Sequence, residues 1–214
     1  MQTDIVTILI IAATAIFSFK GFKDRYLFDR YKFQVNAIKN GDKIRMLSSG
    51  FLHADEMHLI FNMLTLYFFA DHVIFFTGRI NFILIYIGSL FIGNVVSLFF
   101  HKNEPFYSAI GASGAVMGIL YSAILLDPSI RIYLFFAIRI PGFVFAIGYL
   151  LYSVYGMKNR VGNIGHSAHL GGAIGGYVLT ILLHPKVLQT NLNMVLVLAV
   201  SIVLIYVFRD KLNP

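Results

Sequence analysis

The sequence predicts an all-α polytopic membrane protein, one compact bundle of seven spans. Three observations carry this. Hydrophobic residues make up 58% of the 214 residues and charged residues only 13%, a balance that excludes a disordered chain and argues against a water-soluble domain. Seven apolar stretches approach the roughly 20 residues that a helix needs to cross a bilayer. No long Gly/Ser/Pro linker or low-complexity tract divides the chain, so residues 1–214 read as one membrane domain.

The first apolar segment is Ile5–Phe19. It follows Asp4 with no basic flank and no clear small-residue cleavage pattern, so it reads as a span rather than a secretory signal. Residues Lys20–Glu56 form a long connection of mixed charge that still carries Tyr26, Phe28, Tyr31, Phe33, Ile44, Met46 and Phe51. Such a connection is expected to fold into short helices at the membrane interface, with Asn40-Gly41-Asp42 as a turn. Segment two, Met57–Thr77, stops at Gly78-Arg79, and segment three runs over Phe82–Phe100 with Asn94 inside it. After the short polar loop His101–Pro105 comes segment four, Ile110–Leu126, ended by Asp127-Pro128. Ile130–Ile140 is apolar but interrupted by Arg131 and Arg139, the pattern of an interfacial hairpin. Pro141 then opens segment five, Gly142–Tyr155, as proline is tolerated in a first helical turn. Segment six is Gly165–Leu183, stopped by His184-Pro185, and segment seven is Leu192–Phe208, ended by Arg209.

The chain has no cysteine, which excludes disulfides, thiol catalysis and cysteine metal sites. Its net charge of +7 is read as basic loops lying against the anionic headgroups of the lipid bilayer, not as a nucleic-acid interface.

Polar groups within hydrocarbon are costly, so each calls for a reason. His58 and Asn62 are four apart and share one helical face, and His53 lies just before that helix. Hydrogen bonding between helices is one reading of this set; a polar site is the other. Ser113 sits at the start of segment four, where unpaired N–H groups and the positive end of the helix dipole would stabilise an oxyanion. Gly111 and Gly114 permit a tight entry there. Taken alone, a serine between glycines fits a packing face equally well, and with Ala115 in the last position the stretch is not the G-x-S-x-G elbow of soluble hydrolases. His169 heads a stripe with Gly172 and Gly176, and Gly114 and Gly118 form a matching stripe on segment four. Small residues let helices approach closely, so packing the two stripes would bring Ser113 beside His169, within reach for general-base activation. His166, three residues earlier, is the competing base. His53, Ser113 and His169 all fall at span ends on the same side.

These residues resemble the rhomboid intramembrane serine proteases. The match covers about Asp42–His184 and consists of His53-x4-His58-x3-Asn62, Gly111-Ala112-Ser113-Gly114 and Ala168-His169-x2-Gly172-x3-Gly176, in the family's order. Tyr86 and Gly88 also look family-like. The resemblance implies a rhomboid-like six-helix bundle over a core of 5–184 plus one C-terminal transmembrane helix over 192–208, with a Ser113–His169 dyad and no third carboxylate. It implies an oxyanion hole from His58, Asn62 and the Ser113 backbone N–H, with His53 structural, tying the first loop to segment two. It implies single-span or polytopic membrane proteins as substrates, and no metal or other cofactor. The chain departs from the family at three places: Ile44 precedes Arg45 where tryptophan is usual, Ile74 replaces a glutamate, and Met117 stands where an aromatic commonly packs on the catalytic histidine.

Thirteen of the 17 Lys/Arg lie on the side of the candidate site. The positive-inside rule would place that side in the cytoplasm, whereas bacterial members of the family usually open outward. Eight of the thirteen sit in the first loop, which reads as a folded subdomain balanced by Asp24, Asp29, Asp42, Asp55 and Glu56. The expectation is therefore a multi-pass protein of the cell (inner) membrane with its site on the extracytoplasmic side. Three other readings stay open: a catalytically silent relative that binds membrane clients, a membrane di-metal oxygenase using His53-x4-His58 and His166-x2-His169, and a transporter or channel, against which Asp71 is the one charged residue well within a predicted span.

Overall fold

The computed structural model describes residues 3–134, 137–159, 161–162 and 164–208. It is a predominantly helical bundle with two small β-ribbons. Helix α1 (Ile5–Lys23) is capped by the Asp4 side chain, which accepts from the Val6 N–H. Helix α5 (Glu56–Phe100) starts at Asp55, whose carboxylate accepts from the His58 N–H. At 45 residues α5 would run far beyond a bilayer's thickness if straight. It is broken at Gly78, whose φ of 79° and ψ of 164° leave the helical region. The two arms on either side of Gly78 are the predicted segments two and three. By length and composition α1 and α5 suffice to cross a membrane, while α6 (Ser113–Leu126) and Leu192–Leu204 are shorter apolar helices.

Helix α6 is the centre of the bundle. It is apolar all round, and every residue from Gly114 to Leu126 is buried, as expected of a helix enclosed by others. Around it lie the second arm of α5 and α8 (His166–Leu183), with α7 (Gly142–Asn159) outside them. Helix α10 (Leu192–Phe208) follows the short α9 (Val187–Thr190) and packs on α7. Asn191 anchors the start of α10 by donating to the carbonyls of Leu125 (3.0 Å) and Leu126 (2.8 Å) at the end of α6. These are carbonyls that a helix leaves unpaired at its C-terminus.

The first loop is a folded subdomain, as its composition predicts. It contains α2 (Arg25–Tyr31), strand β1 (Phe33–Gln34), α3 (Val35–Lys39), α4 (Arg45–Ser48) and a 3₁₀ turn at Ser49–Phe51. Buried Arg45 stitches it together, donating to the Asp42 carboxylate (2.8 Å) and to the carbonyls of Asp29 (2.8 Å) and Lys32 (2.9 Å). Arg30 reaches the same Asp42 carboxylate. Asn94, on the second arm of α5, holds the loop to the bundle through the Met46 carbonyl (2.9 Å) and the Ser49 hydroxyl (3.1 Å).

Boundaries differ from the sequence reading at three segments, the first being segment one, which runs past Phe19 to Lys23 as α1. Segment four was expected to begin at Ile110, but Ser108–Ala109 is a strand, β2, pairing antiparallel with β1, and Gly111 adopts a left-handed φ of 119°. The helix therefore starts at Ser113. Segment five extends beyond Tyr155, to Asn159. The expected hairpin at 130–140 is a two-stranded ribbon of β3 (Arg131–Leu134) and β4 (Ile138–Pro141). Arg209, expected to end segment seven, lies outside the described residues.

Candidate active site

The site is set by how closely α6 and α8 approach. A methyl group on Gly172 would fall inside the Gly114 carbonyl, and one on Gly176 inside the Gly118 carbonyl. Both helices thus meet backbone to backbone along the two stripes read from the sequence. The contact is short-range van der Waals packing, the main attraction available between helices in lipid. On its other side α8 meets the second arm of α5, where Gly93 faces the Ala168 carbonyl and Gly171 faces Val96.

Ser113 and His169 sit at the same end of this seam. Ser113 immediately precedes Gly114, and His169 lies one turn before Gly172. Their chain neighbours also meet: a Cβ on Gly114 would lie 3.3 Å from the Ala168 carbonyl. Ser113 is partly accessible, while His169 is buried at 8% exposure. No hydrogen bond joins the two among the described residues, so the geometry is that of adjacent groups on facing helices. Nucleophile–base contacts are often loose in unliganded sites and tighten with substrate.

Gly111 shapes the other side of Ser113. Its left-handed φ suits glycine, and a Cβ there would lie 2.9 Å from His58 Nε2 and 3.7 Å from Ser113 Oγ. The missing side chain is therefore what lets the His58 ring lie against the backbone at Gly111, two residues before Ser113. Ala112, the N-cap of α6, supplies no side-chain cap. The first N–H groups of the helix thus face the space beside Ser113 without intrahelical partners.

His53 is completely buried and makes a relay of bonds. Its Nε2 accepts from the Ala112 N–H at 3.3 Å. Its Nδ1 is 2.9 Å from the Ser18 hydroxyl, which itself donates to the Phe51 carbonyl at 3.0 Å. An acceptor at Nε2 and an already committed Ser18 proton require Nδ1–H, the neutral tautomer. Burial, and after it the neighbouring His58, lowers His53 from the ordinary 6.5 to about 3. The His53 and His58 rings meet edge to face, 4.9 Å apart. His53 thus ties the first loop to α1 and to the entry of α6, partners that the expectation of a tie to segment two did not include. Asn62 is 7% exposed, and its amide donates to the His58 carbonyl at 2.9 Å, four residues back on its own helix.

His166 points elsewhere. Its ring packs on Gly156 of α7, and its Nε2 is 3.0 Å from the Val161 carbonyl. The sequence reading did not single out Tyr149. This α7 residue places its hydroxyl 2.6 Å from His169 Nδ1, with the two rings 5.9 Å apart and tilted by 33°. Among the described residues, no group of three or more His, Asp or Glu side chains comes together in a metal-binding arrangement.

A family model described as the Rhomboid domain matches residues 40–186, which takes in all of these groups except Ser18. The chain is similar to RHOMBOID-like protein 12, mitochondrial, of Arabidopsis thaliana, at 27% identity over 79% of this chain and 55% of that protein. It is similar to Rhomboid protein 1, mitochondrial, of Saccharomyces cerevisiae, at 32% over 63% of this chain and 40% of that protein. It is also similar to the rhomboid YdcA of Bacillus subtilis (strain 168), at 31% over 70% of this chain and 71% of that protein. The chain thus spans about half the length of the first two of these relatives.

Proposed function

The chain belongs to the rhomboid family, and from that premise we propose that it is an intramembrane serine endopeptidase cleaving other membrane proteins. Ser113 is the nucleophile and His169 the general base. Ser113 Oγ bonds to the scissile carbonyl carbon as its proton passes to His169 Nε2. The resulting oxyanion is held by the Ser113 N–H, the His58 ring and the Asn62 amide, and His169 then returns the proton to the leaving amine. The observation that carries this reading is the glycine seam, which sets Ser113 and His169 at one level of two touching helices. The His58 ring against Gly111, on the opposite side of Ser113, supports it.

Six spans plus α10 cross the bilayer in this reading, and the site opens on the extracytoplasmic side of a cell (inner) membrane. A mitochondrial membrane is the alternative that the names of two relatives suggest. Substrates are single-span or polytopic proteins presented from the bilayer. The test is labelling of folded, membrane-reconstituted protein with a serine-reactive fluorophosphonate. Wild type is expected to label and Ser113→Ala is not. Folded wild type that fails to label would support a silent, client-binding relative instead.

A further inference from the structure

Tyr149 has the shortest polar contact to His169, yet the dyad chemistry assigns it no task. Building on the Ser113–His169 reading, we infer that Tyr149 is a positioning residue, an uncharged third member that fixes the tautomer and the ring plane of His169. A histidine that takes a proton at Nε2 must carry its existing hydrogen on Nδ1. Nδ1–H is therefore a donor and needs an acceptor, because a buried donor left unpaired is costly. The Tyr149 hydroxyl oxygen, 2.6 Å away, is the acceptor the structure provides.

When Nε2 receives the Ser113 proton, the imidazolium positive charge is shared with Nδ1–H, and its bond to the phenol oxygen strengthens. No proton passes to Tyr149. The bond made at Ser113 Oγ and the proton moved to Nε2 balance without it. A carboxylate plays the same orienting part in soluble serine hydrolases. Here a neutral phenol does so without placing a second charge in the bilayer, where an ion is costly.

The rest of α7 is arranged to hold that hydroxyl still. The Tyr121 hydroxyl of α6 donates to the Ala146 carbonyl, one turn before Tyr149. Phe145 stacks on the Tyr149 ring at 5.6 Å and 21°. Gly142 sits against Ile124 and Ile130 at the start of the helix. The aromatic ring hydrogen-bonded to His169 comes from α7, so any displacement of α7 carries the tautomer-fixing bond with it.

The test compares Tyr149→Phe with Tyr152→Phe. Tyr152 is the adjacent α7 aromatic, 6.0 Å from Tyr149, and it packs on His166. In Tyr149→Phe the turnover number for a transmembrane substrate is expected to fall by about 10- to 100-fold, the size of a bond to a charged group, with KM unchanged. Tyr152→Phe is expected to match wild type. The ¹⁵N spectrum of histidine-labelled protein reads the tautomer directly: His169 is expected as Nδ1–H in wild type and as a mixture in Tyr149→Phe. Wild-type turnover in folded Tyr149→Phe, or an Nε2–H tautomer in active wild type, overturns the inference and leaves the dyad standing. Absence of cleavage by wild type itself would instead remove the dyad reading on which it rests.

Discussion

Replacing Gly172 by alanine puts one methyl group where the two central helices touch. The added carbon would lie 2.7 Å from the Gly114 carbonyl carbon and 2.8 Å from its Cα. Carbon atoms rest at about 3.5–4.0 Å, so α6 and α8 must part by roughly 1 Å at this level. The obstruction is backbone, so no side-chain rotation relieves it. Overpacking of this kind costs about 1–3 kcal/mol of stability. Its effect on chemistry is larger, because Ser113 and His169 sit one residue and one turn from the contact. Misplacing reacting groups by about 1 Å lowers turnover on the order of 100-fold. Gly148→Ala is the matched control: on exposed Gly148 of α7 a Cβ meets nothing within 4 Å. That change is expected to keep full activity and to add about 0.5–1 kcal/mol of helix stability. The assay is cleavage of a transmembrane substrate in proteoliposomes, normalised to folded protein. Folded Gly172→Ala cleaving at the wild-type rate would refute the argument that the glycine seam sets the dyad.

Two further outcomes follow from the histidines. His53 is held neutral at about 3 against an ordinary 6.5, so between those values the unfolded chain binds a proton that the folded chain refuses. Its contribution to stability is full above pH 6.5 and is lost progressively as pH falls towards 3; thermal unfolding across this window should show acid destabilisation, flattened in His53→Gln. His166→Ala is expected to lower stability by about 1–3 kcal/mol through the lost Val161 contact while cleavage per folded molecule persists; abolished cleavage in folded His166→Ala with activity retained in His169→Ala would reverse the assignment of the base.

The helices were legible because hydropathy and punctuation are local. Gly78-Arg79, Asp127-Pro128 and His184-Pro185 each mark the end of an apolar run, and the chain breaks or turns at each. The glycine stripes were legible because i, i+3 and i+4 spacing places residues on one helical face, so the approach of α6 and α8 could be read from two segments far apart in the chain. The start of α6 was not, because the strand pairing that consumes Ser108–Ala109 depends on Phe33–Gln34, 75 residues earlier. Ser18 and Tyr149 were missed for the same reason. A serine among apolar residues of α1 and a tyrosine among the aromatics of α7 carry no local mark, and their partners His53 and His169 are brought to them only by packing. The role of Arg45 as a buried stitch across the first loop emerges only from its three acceptors.

The central claim is that one serine and one histidine on touching helices cut a peptide bond within the membrane. Its most direct test is incubation of purified protein in liposomes with a generic transmembrane substrate, comparing wild type with Ser113→Ala and His169→Ala, each confirmed as folded. Wild type is expected to yield a discrete product and either variant none. The same product formed at the wild-type rate by Ser113→Ala would contradict it.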